Sequence, residues 1–428
     1  MKFPNSTFLS LVWTSMSRIK LVAFKNTDYS LIWVSTTFMI CSHNMVALAQ
    51  GYLVYDMTGS ATIVGLVGLA AAIPLLLIAP IGGAVADRFN QKKLMLMCQM
   101  LQMGFAFAVF ILLFTEALIW QHLLIIGLGY GIIWATNGPA RQALLPKILD
   151  ADALPNGIAL ITAGMSIAGL IGPAFAGVLY ARFSPEFVFV MSAVLSVLSL
   201  IVILFMRMPK QELKSTQTDI TPQKPKSIQS NITQDALDGL KYLWNDFPTR
   251  TILIVGVFFF MLESPMHFLL SVLVVDVYNL ETEGLGLLAT MIGIGALAGN
   301  VFAASLPVKN RGKLFILMAF LSGWALLGIS LIPIYLAGLF ILMVQGFAGG
   351  GQYPMMQILM LKNVEPKYYG RIMSIIMMSF GLMPLAVFPA GIAIDIWGIR
   401  MVLGALGFGL LATSTLTFST QKWLRDMD

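Results

Sequence analysis

Charge is scarce in this sequence. Only 11% of its 428 residues are Asp, Glu, Lys or Arg and 58% are hydrophobic, against about 25% charged residues in ordinary soluble domains, so a water-soluble globular protein is excluded. Cysteine is scarcer still: Cys41 and Cys98 both fall within apolar runs, and no disulfide framework is expected. The first 29 residues hold no short apolar core followed by a small-residue cleavage site, so no cleaved signal peptide is expected. No Gly-x-x-x-x-Gly-Lys-Ser/Thr phosphate loop occurs, and no polar region is large enough for a nucleotide-binding domain. Nucleotide hydrolysis is thereby excluded as an energy source, an enzyme is not expected, and neither a cofactor nor a resident metal is expected.

What the chain has is long apolar runs. A helix needs about 20 mostly apolar residues to cross a bilayer, and twelve segments qualify: roughly 30–54, 60–85, 93–114, 118–140, 156–181, 185–206, 251–276, 284–307, 313–334, 336–360, 368–394 and 399–420. Cut this way, alternate connections hold 24 of the 26 Lys and Arg residues. Only Arg182 and Arg400 lie on the other side, whose short loops carry Asp56, Glu116, Glu186, Glu281 and Glu283. Basic loops stay in the cytoplasm, so the pattern predicts an all-α membrane protein of twelve transmembrane helices with both termini cytoplasmic. The net charge of +6 is then an orientation signal, and no nucleic-acid partner is expected.

Five regions follow. In 1–29, Phe8, Leu9, Val12, Trp13 and Met16, followed by Arg18 and Lys20, predict an amphipathic segment on the inner membrane face. Residues 30–206 carry the first six spans. In the linker 207–250, the stretch Lys210–Asn231 is too polar to order itself, whereas Ala236, Leu237, Leu240, Leu243, Trp244 and Phe247 recur at helical spacing up to Pro248, predicting an interfacial helix. Residues 251–420 carry the second six spans, and 421–428 form a cytoplasmic tail. A shift of about 220 residues lays Lys93-Leu94 on Lys313-Leu314, a weak repeat of the kind from which parallel-repeat transporters are built.

Between the second and third spans the chain reads GGAVADRFNQKKL, from Gly82 to Leu94. Gly83, Asp87, Arg88, Lys92 and Lys93 resemble the signature loop of the major facilitator superfamily, a Gly-x-x-x-Asp-Arg-x-Gly-Arg-Arg pattern. Asn90 replaces a Gly and Gln91 an Arg; because Asn tolerates a left-handed turn, the turn is expected to survive. The resemblance implies a latch in which Asp87 faces the start of the eleventh helix near Tyr369, Gly370 and Arg371, and a cytoplasmic gate of Gly83, Asp87, Arg88, Lys92, Arg141 and Arg371. In the fifth span, Gly164, Ala168, Gly172, Pro173, Ala176 and Gly177 resemble the family's antiporter motif, with alanine at two glycine positions. Small residues at this spacing also let helices approach closely in lipid, so generic packing stands beside the exporter meaning. The stretches LVYDMTGSATIVGLV from Leu53 and GPARQALLPKILDADALPNGIAL from Gly138 are similar to the macrolide-efflux and enterobactin-exporter branch. That likeness covers the N-terminal half well and the C-terminal half only in topology.

Glu263 is the only carboxylate deep within a span. A charged acid at a helix centre costs about 2.5–3.5 kcal/mol on insertion scales, which marks it as functional by default. His267 follows one turn along the same face, and Pro265 between them predicts a kink that frees a carbonyl near Met261. The 220-residue shift sets His43, beside Asn44 at the middle of the first span, opposite Glu263. Helices one and seven both line the central cavity in this superfamily, so the resemblance implies a midplane cluster of Glu263, His267, His43 and Asn44. Burial favours the neutral forms of these groups and mutual pairing the charged ones, a balance suited to proton coupling by Glu263, His267 and His43. A structural pair pinning a kinked helix, a packing role for His43 and a metal site of two His and one Glu are the alternatives. Tyr130, Trp134, Gln345 and Tyr353 join the candidate substrate site by depth. Met355, Met356, Met360, Met373, Met377, Met378 and Met383 suit either a promiscuous apolar surface or ordinary membrane filling.

The expectation is a major facilitator bundle in a bacterial inner membrane, a monomer whose partners are a small-molecule substrate, protons and membrane lipid. It would export an amphipathic or apolar molecule, drug or siderophore-like, by alternating access and proton antiport. A lipid or lysophospholipid transporter of the same fold, and a receptor or scaffold that moves nothing, remain the alternatives.

Overall fold

In hydrocarbon a backbone has no water to bond to, and a helix satisfies each N–H and C=O within its own segment. The computed structural model describes residues 22–88, 90–150, 153–207, 241–280, 282–305, 310–362, 364 and 369–427, and helices follow one another through them. Its description excludes the side chains of 79–88, 155, 159, 282–283, 304–305, 361, 369–374, 377–380 and 384. The helices are α1 (Thr27–Thr58), α2 (Ala61–Arg88), α3 (Gln91–Phe114), α4 (Trp120–Ile148), α5 (Leu154–Arg182), α6 (Pro185–Leu204), α7 (Phe247–Phe268), the short α8 (Leu270–Asp276), α9 (Thr282–Ser305), α10 (Arg311–Leu331), α11 (Tyr335–Lys362), α12 (Tyr369–Trp397) and α13 (Ile399–Thr420). Among the described residues, ten helices are long and apolar enough to cross a membrane, and a shorter apolar piece occupies Gly381–Trp397. The segment expected to lie on the membrane at 1–20 and most of the linker fall outside the described residues. Residues 241–245 are helical, with Leu243 buried and Trp244 exposed.

Turn chemistry sets the helix ends. The Asn26 side chain caps α1 by accepting from the Tyr29 N–H, and Gly59 closes it in the left-handed region at φ 61°. Asn90 departs from expectation. It is extended (φ −66°, ψ 113°) and its side chain accepts from the Lys93 N–H, so it caps α3 instead of making a left-handed turn. Asn satisfies an orphan donor at a helix start better than almost any residue, and that gain decides its conformation. Asn310, at the matching place before α10, is the one in the left-handed region, at φ 62°.

The expected kink at Pro265 is displaced by one turn. Helix α7 runs through Pro265 and is interrupted at Leu269 (φ −103°, ψ 20°), before α8 completes the span. The Met261 carbonyl that proline cannot serve lies 3.3 Å from Ser264 Oγ, which also reaches the Met383 carbonyl at 2.9 Å.

Helix α1 lies against α5 and α6, α2 against α4, and α3 against α4 and α6. Among the later helices α9 lies against α11, α10 against α11 and α13, and α7 against α12 and α13. The two groups meet along two seams, α2 with α12 and α5 with α9. One end of the bundle holds Lys92, Lys147, Arg250, Lys313 and Lys422; the other holds Asp56, Glu116, Glu186, Asp276 and Asp395. These are called the basic and acidic faces below.

Large apolar side chains such as Leu77, Phe114, Phe340 and Phe408 point outward, each at least 67% exposed. Lipid offers no hydrophobic drive to bring helices together, so close backbone approach and hydrogen bonds must do it. Both are present. Ser35 pairs with Ser199 at 2.8 Å and Ser42 with Ser192 at 2.7 Å, while Gln99 and Gln102 donate to Ser35 and Ser42 at 2.8 and 3.0 Å, a buried seam joining α1, α3 and α6. The small residues of α5 serve the other requirement. A Cβ on Gly164 would stand 2.9 Å from Trp33 Nε1, one on Gly172 would stand 2.8 Å from the Cys41 carbonyl, and one on Gly177 would stand 2.3 Å from Cα of Gly286 in α9. The first two let α5 rest on α1, and the third joins α5 to the other group of helices.

Gly177→Ala therefore forces two backbones apart. It is expected to lower stability by about 1–3 kcal/mol, the range for overpacking a tight contact, read as a fall in Tm of the purified protein. Gly104→Ala, where nothing lies within 4 Å, is expected to be neutral or to gain up to about 1 kcal/mol from helix propensity.

Candidate functional site

A cavity of about 610 Å³ lies between the two groups of helices, walled by α1, α2 and α4 on one side and by α7 and α9 on the other. His43, Asn44, Tyr130, Trp134, Pro173 and His267 line it, with Met383 from α12. No Asp, Glu, Lys or Arg is among its lining residues. Five of the expected site residues thus share one cavity, but they do not form one cluster. The His43 ring sits edge-on to Trp134 at 5.0 Å and against Tyr130 at 5.3 Å, all within the first group of helices.

Glu263 lies behind the opposite wall. It is 3% exposed, and its Oε1 accepts from Ser322 Oγ at 2.9 Å and from Gln345 Nε2 at 2.8 Å. Room for the carboxylate comes from Gly349, where a Cβ would stand 2.8 Å from Oε1. Gln345 Nε2 also lies 3.4 Å from His267 Nε2, so with His267 in its Nδ1–H form the two amide hydrogens bridge acid and imidazole. The expected direct pairing of Glu263 with His267 is replaced by this bridge, and His43 does not meet Glu263. A two-fold repeat sets equivalent residues on opposite sides of its axis; they touch only if both point at the axis, and Glu263 points instead into the α7–α10–α11 packing. Tyr353 stands beside Phe260 at 6.4 Å and does not line the cavity.

Glu263 and Arg141 are the only charged side chains buried among the described residues. Arg141, expected at the gate, contacts Met165 Sδ at 3.9 Å, between α4 and α5, and has no other polar contact among the described residues. Lys92 likewise does not reach across. Its ammonium donates to the Leu204 and Met206 carbonyls at 3.0 and 2.7 Å, satisfying the C-terminal end of α6. The side chains of Gly83, Asp87, Arg88 and Arg371 lie outside the described set, so the latch between Asp87 and the start of α12 does too. Met355, Met356 and Met360 are buried core; only Met383 of the methionine group reaches the cavity, and Met373, Met377 and Met378 lie outside the described side chains. Among the described residues no group of three His, Cys, Asp or Glu side chains could hold a metal.

At the acidic face the two groups of helices are joined by hydrogen bonds that the sequence reading missed. Asp395, near the end of α12, accepts from Ser60 Oγ at 2.7 Å and from the backbone N–H groups of Ala61 and Thr62 at 2.8 and 3.0 Å. A carboxylate there caps α2 across the seam and faces the positive end of its dipole. Tyr55 Oη donates to Asp276 Oδ1 at 2.6 Å, and Ser271 Oγ to the Gly51 carbonyl at 3.2 Å. The signal was in the quoted stretch itself, where Gly59-Ser60-Ala61-Thr62 reads as a helix start with room for an acid.

The sequence profile describing the Major Facilitator Superfamily matches residues 32–387. The chain is 22% identical to the Staphyloferrin A transporter of Staphylococcus aureus (strain NCTC 8325 / PS 47), over 91% of this chain and 96% of that protein. It is 21% identical to Macrolide efflux protein A of Streptococcus pyogenes, over 86% and 90% of the two chains. A crystal structure of a point mutant of the nucleoside transporter NupG shares its fold at a TM-score of 0.73 with 12% identity, covering 92% of this chain and 99% of that one.

Asp395→Asn removes the charge that three donors serve. Losing charge-assisted bonds of about 1.5–3 kcal/mol each, partly recovered by the amide, is expected to open the acidic face. A cysteine in place of Val64, which lines the cavity at 4% exposure, should then react with an impermeant maleimide about tenfold faster. An unchanged rate would show that Asp395 does not hold this face shut.

Proposed function

Because the chain belongs to the Major Facilitator Superfamily, we propose that it exports an amphipathic or apolar small molecule from the cytoplasm by alternating access, in exchange for protons. It is a membrane transporter and not an enzyme; direction, coupling ion and substrate are the proposal. Macrolide efflux, the activity named for one relative, supports the outward direction. In this reading twelve spans form two halves, 30–206 and 251–420, both termini are cytoplasmic, and the protein works as a monomer.

Glu263 carries the proposal. A carboxylate 3% exposed at membrane depth, with no cation beside it among the described residues, is costly to keep, and its hydrogen bonds lead through Gln345 to a histidine in the cavity wall. Ionised, Glu263 uses Oε1 for both donors and leaves Oε2 without a partner among the described residues. A proton taken up on Oε2 removes the charge that Ser322 and Gln345 serve. The Gln345 Oε1, buried without a partner among the described residues, can then turn to accept the new O–H. That turn withdraws the amide hydrogen from His267, and the cavity wall changes with it. Protonation from outside discharges substrate, and deprotonation to the cytoplasm resets the site. His43, across the cavity, is the second proton candidate.

Glu263→Gln keeps the shape but cannot ionise. In proteoliposomes it should abolish substrate-dependent proton flux and uphill export while sparing substrate binding. Wild-type concentrative export by this variant, with unchanged dependence on the proton gradient, would move the proton path elsewhere. Topology has its own test. Cysteines replacing Gln223 and Lys309 should be labelled only from the cytoplasm and one replacing Thr282 only from outside; cytoplasmic labelling of the last would overturn the arrangement.

A further inference from the structure

One face of α4 holds a row of buried polar groups with few partners among the described residues. Tyr130, Trp134, Asn137 and Arg141 are spaced by four, three and four residues, which places all four on one stripe of a helix turning 100° per residue. Tyr130 is 3%, Asn137 2% and Arg141 7% exposed. Tyr130 Oη and Trp134 Nε1 are buried without a hydrogen-bond partner among the described residues, Asn137 has only the Cys98 thiol beside it, and the one polar contact of the Arg141 guanidinium there is the Met165 thioether at 3.9 Å. Every one of these groups can donate. Buried donors are nearly always paired in folded proteins, so a row of them left open asks for a cause.

The stripe leads into the cavity. Tyr130 and Trp134 line it, as does Ser166, the residue after the Met165 that Arg141 touches. Arg141 does not itself line the cavity, but helical side chains lean toward the N-terminus of their helix and α4 enters from the acidic face, so Arg141 leans from the basic side in the direction of Trp134. Around this stripe the cavity wall is mostly aliphatic and aromatic, with no acid among its described lining residues to balance Arg141 or to attract a cation.

We infer that this stripe is the recognition site for the transported molecule and selects an organic anion, an apolar body bearing a carboxylate. The body fills the cavity beside Trp134 and Leu75, Tyr130 and Trp134 donate to its oxygens, and Arg141 takes the carboxylate in its fork. This rests on the reading of the cavity as the substrate site and names the class of substrate.

The test uses the full chain in phosphatidylcholine nanodiscs and two probes of one shape, pyrenebutyrate and neutral pyrenebutyramide. Binding is read as tryptophan-to-pyrene energy transfer above that of protein-free discs. Wild type is expected to prefer the carboxylate by about tenfold, the size of one well-placed charge-assisted contact. Arg141→Gln should erase that preference, and Arg141→Lys should keep part of it. The ratio of the two affinities is the readout, since a merely structural arginine would weaken both probes alike. Equal affinities in wild type, or a preference that survives Arg141→Gln, would overturn the inference while leaving the cavity a binding site. Should Arg141→Gln not fold, a full tenfold preference retained by Arg141→Lys would overturn the fork, and a reduced one would support it. If neither probe binds wild type, the cavity reading itself falls and this inference with it. Displacement of pyrenebutyrate alone by a minor fraction of phosphatidylglycerol in the disc would make the anion a lipid head group and overturn the small-molecule assignment.

Discussion

The cost of leaving a polar group unpaired in hydrocarbon governs this structure more than any contact between apolar side chains does. Lipid tails are as apolar as leucine, so burying leucine between helices gains little over leaving it in the bilayer. What separates a packed bundle from loose helices is the polar seam of Ser35, Ser42, Ser192, Ser196 and Ser199 with Gln99 and Gln102, together with the glycine contacts that bring backbones close enough to add dispersion. The same cost explains why Lys92 is spent on the carbonyls that end α6 and why Ser264 attends the carbonyl that Pro265 leaves open.

Against that background, the contrast between the two seams and the acidic face has mechanical meaning. Along α5 and α9 the contact is glycine on glycine at Gly177 and Gly286, and along α2 and α12 a Cβ on Gly65 would stand 3.0 Å from Cα of Phe388. Such contacts carry no directional bond, so they can serve as surfaces over which one group of helices rocks on the other. The acidic face is different in kind. Asp395 holds three donors of α2, and Tyr55 holds Asp276. These bonds are lost at once when the ends separate and regained in water, where their partners are solvated. A closure of this type gives a definite state and costs little to leave.

Much of the fold was legible in the sequence. The apolar runs marked the helices, ten of them long and apolar enough to span among the described residues, because run length and the absence of charge are decided by the bilayer and not by tertiary detail. Small residues at every fourth position of α5 marked close approach, and their partners in α1 and α9 needed coordinates. The site was legible in membership and not in arrangement. Depth and residue type picked out His43, Asn44, Tyr130, Trp134 and His267, all of which line the cavity, since polarity inside a span is rare enough to be informative. Depth says nothing about direction around the helix axis, and that is why His43 was set against Glu263 and Tyr353 was set in the cavity. Asn90 was read by its tolerance for a left-handed turn when capping was the stronger demand. Ser322 was passed over because a serine in a span looks like packing until an acid is found to need it.

The placement of Glu263 behind the wall bears on how coupling works if it carries the proton. A carboxylate facing the cavity would compete with substrate for the same space and the same waters, and its charge would act directly on whatever is bound. Here the acid is screened from the cavity by a neutral amide, and what the cavity receives is the orientation of Gln345 and, through it, of His267. Substrate and proton then influence each other by the shape and hydrogen bonding of a shared wall and not by charge against charge. An uncharged cavity surface is compatible with the inferred hold of Arg141 on an anion, because the only other charge buried among the described residues, Glu263, is kept on the far side of Gln345. Had the two charges shared the cavity they would have paired, as buried opposites do, leaving neither available to a ligand or a proton. In the proposed mechanism, keeping them in different groups of helices is what would let one respond to protons while the other stays open to substrate.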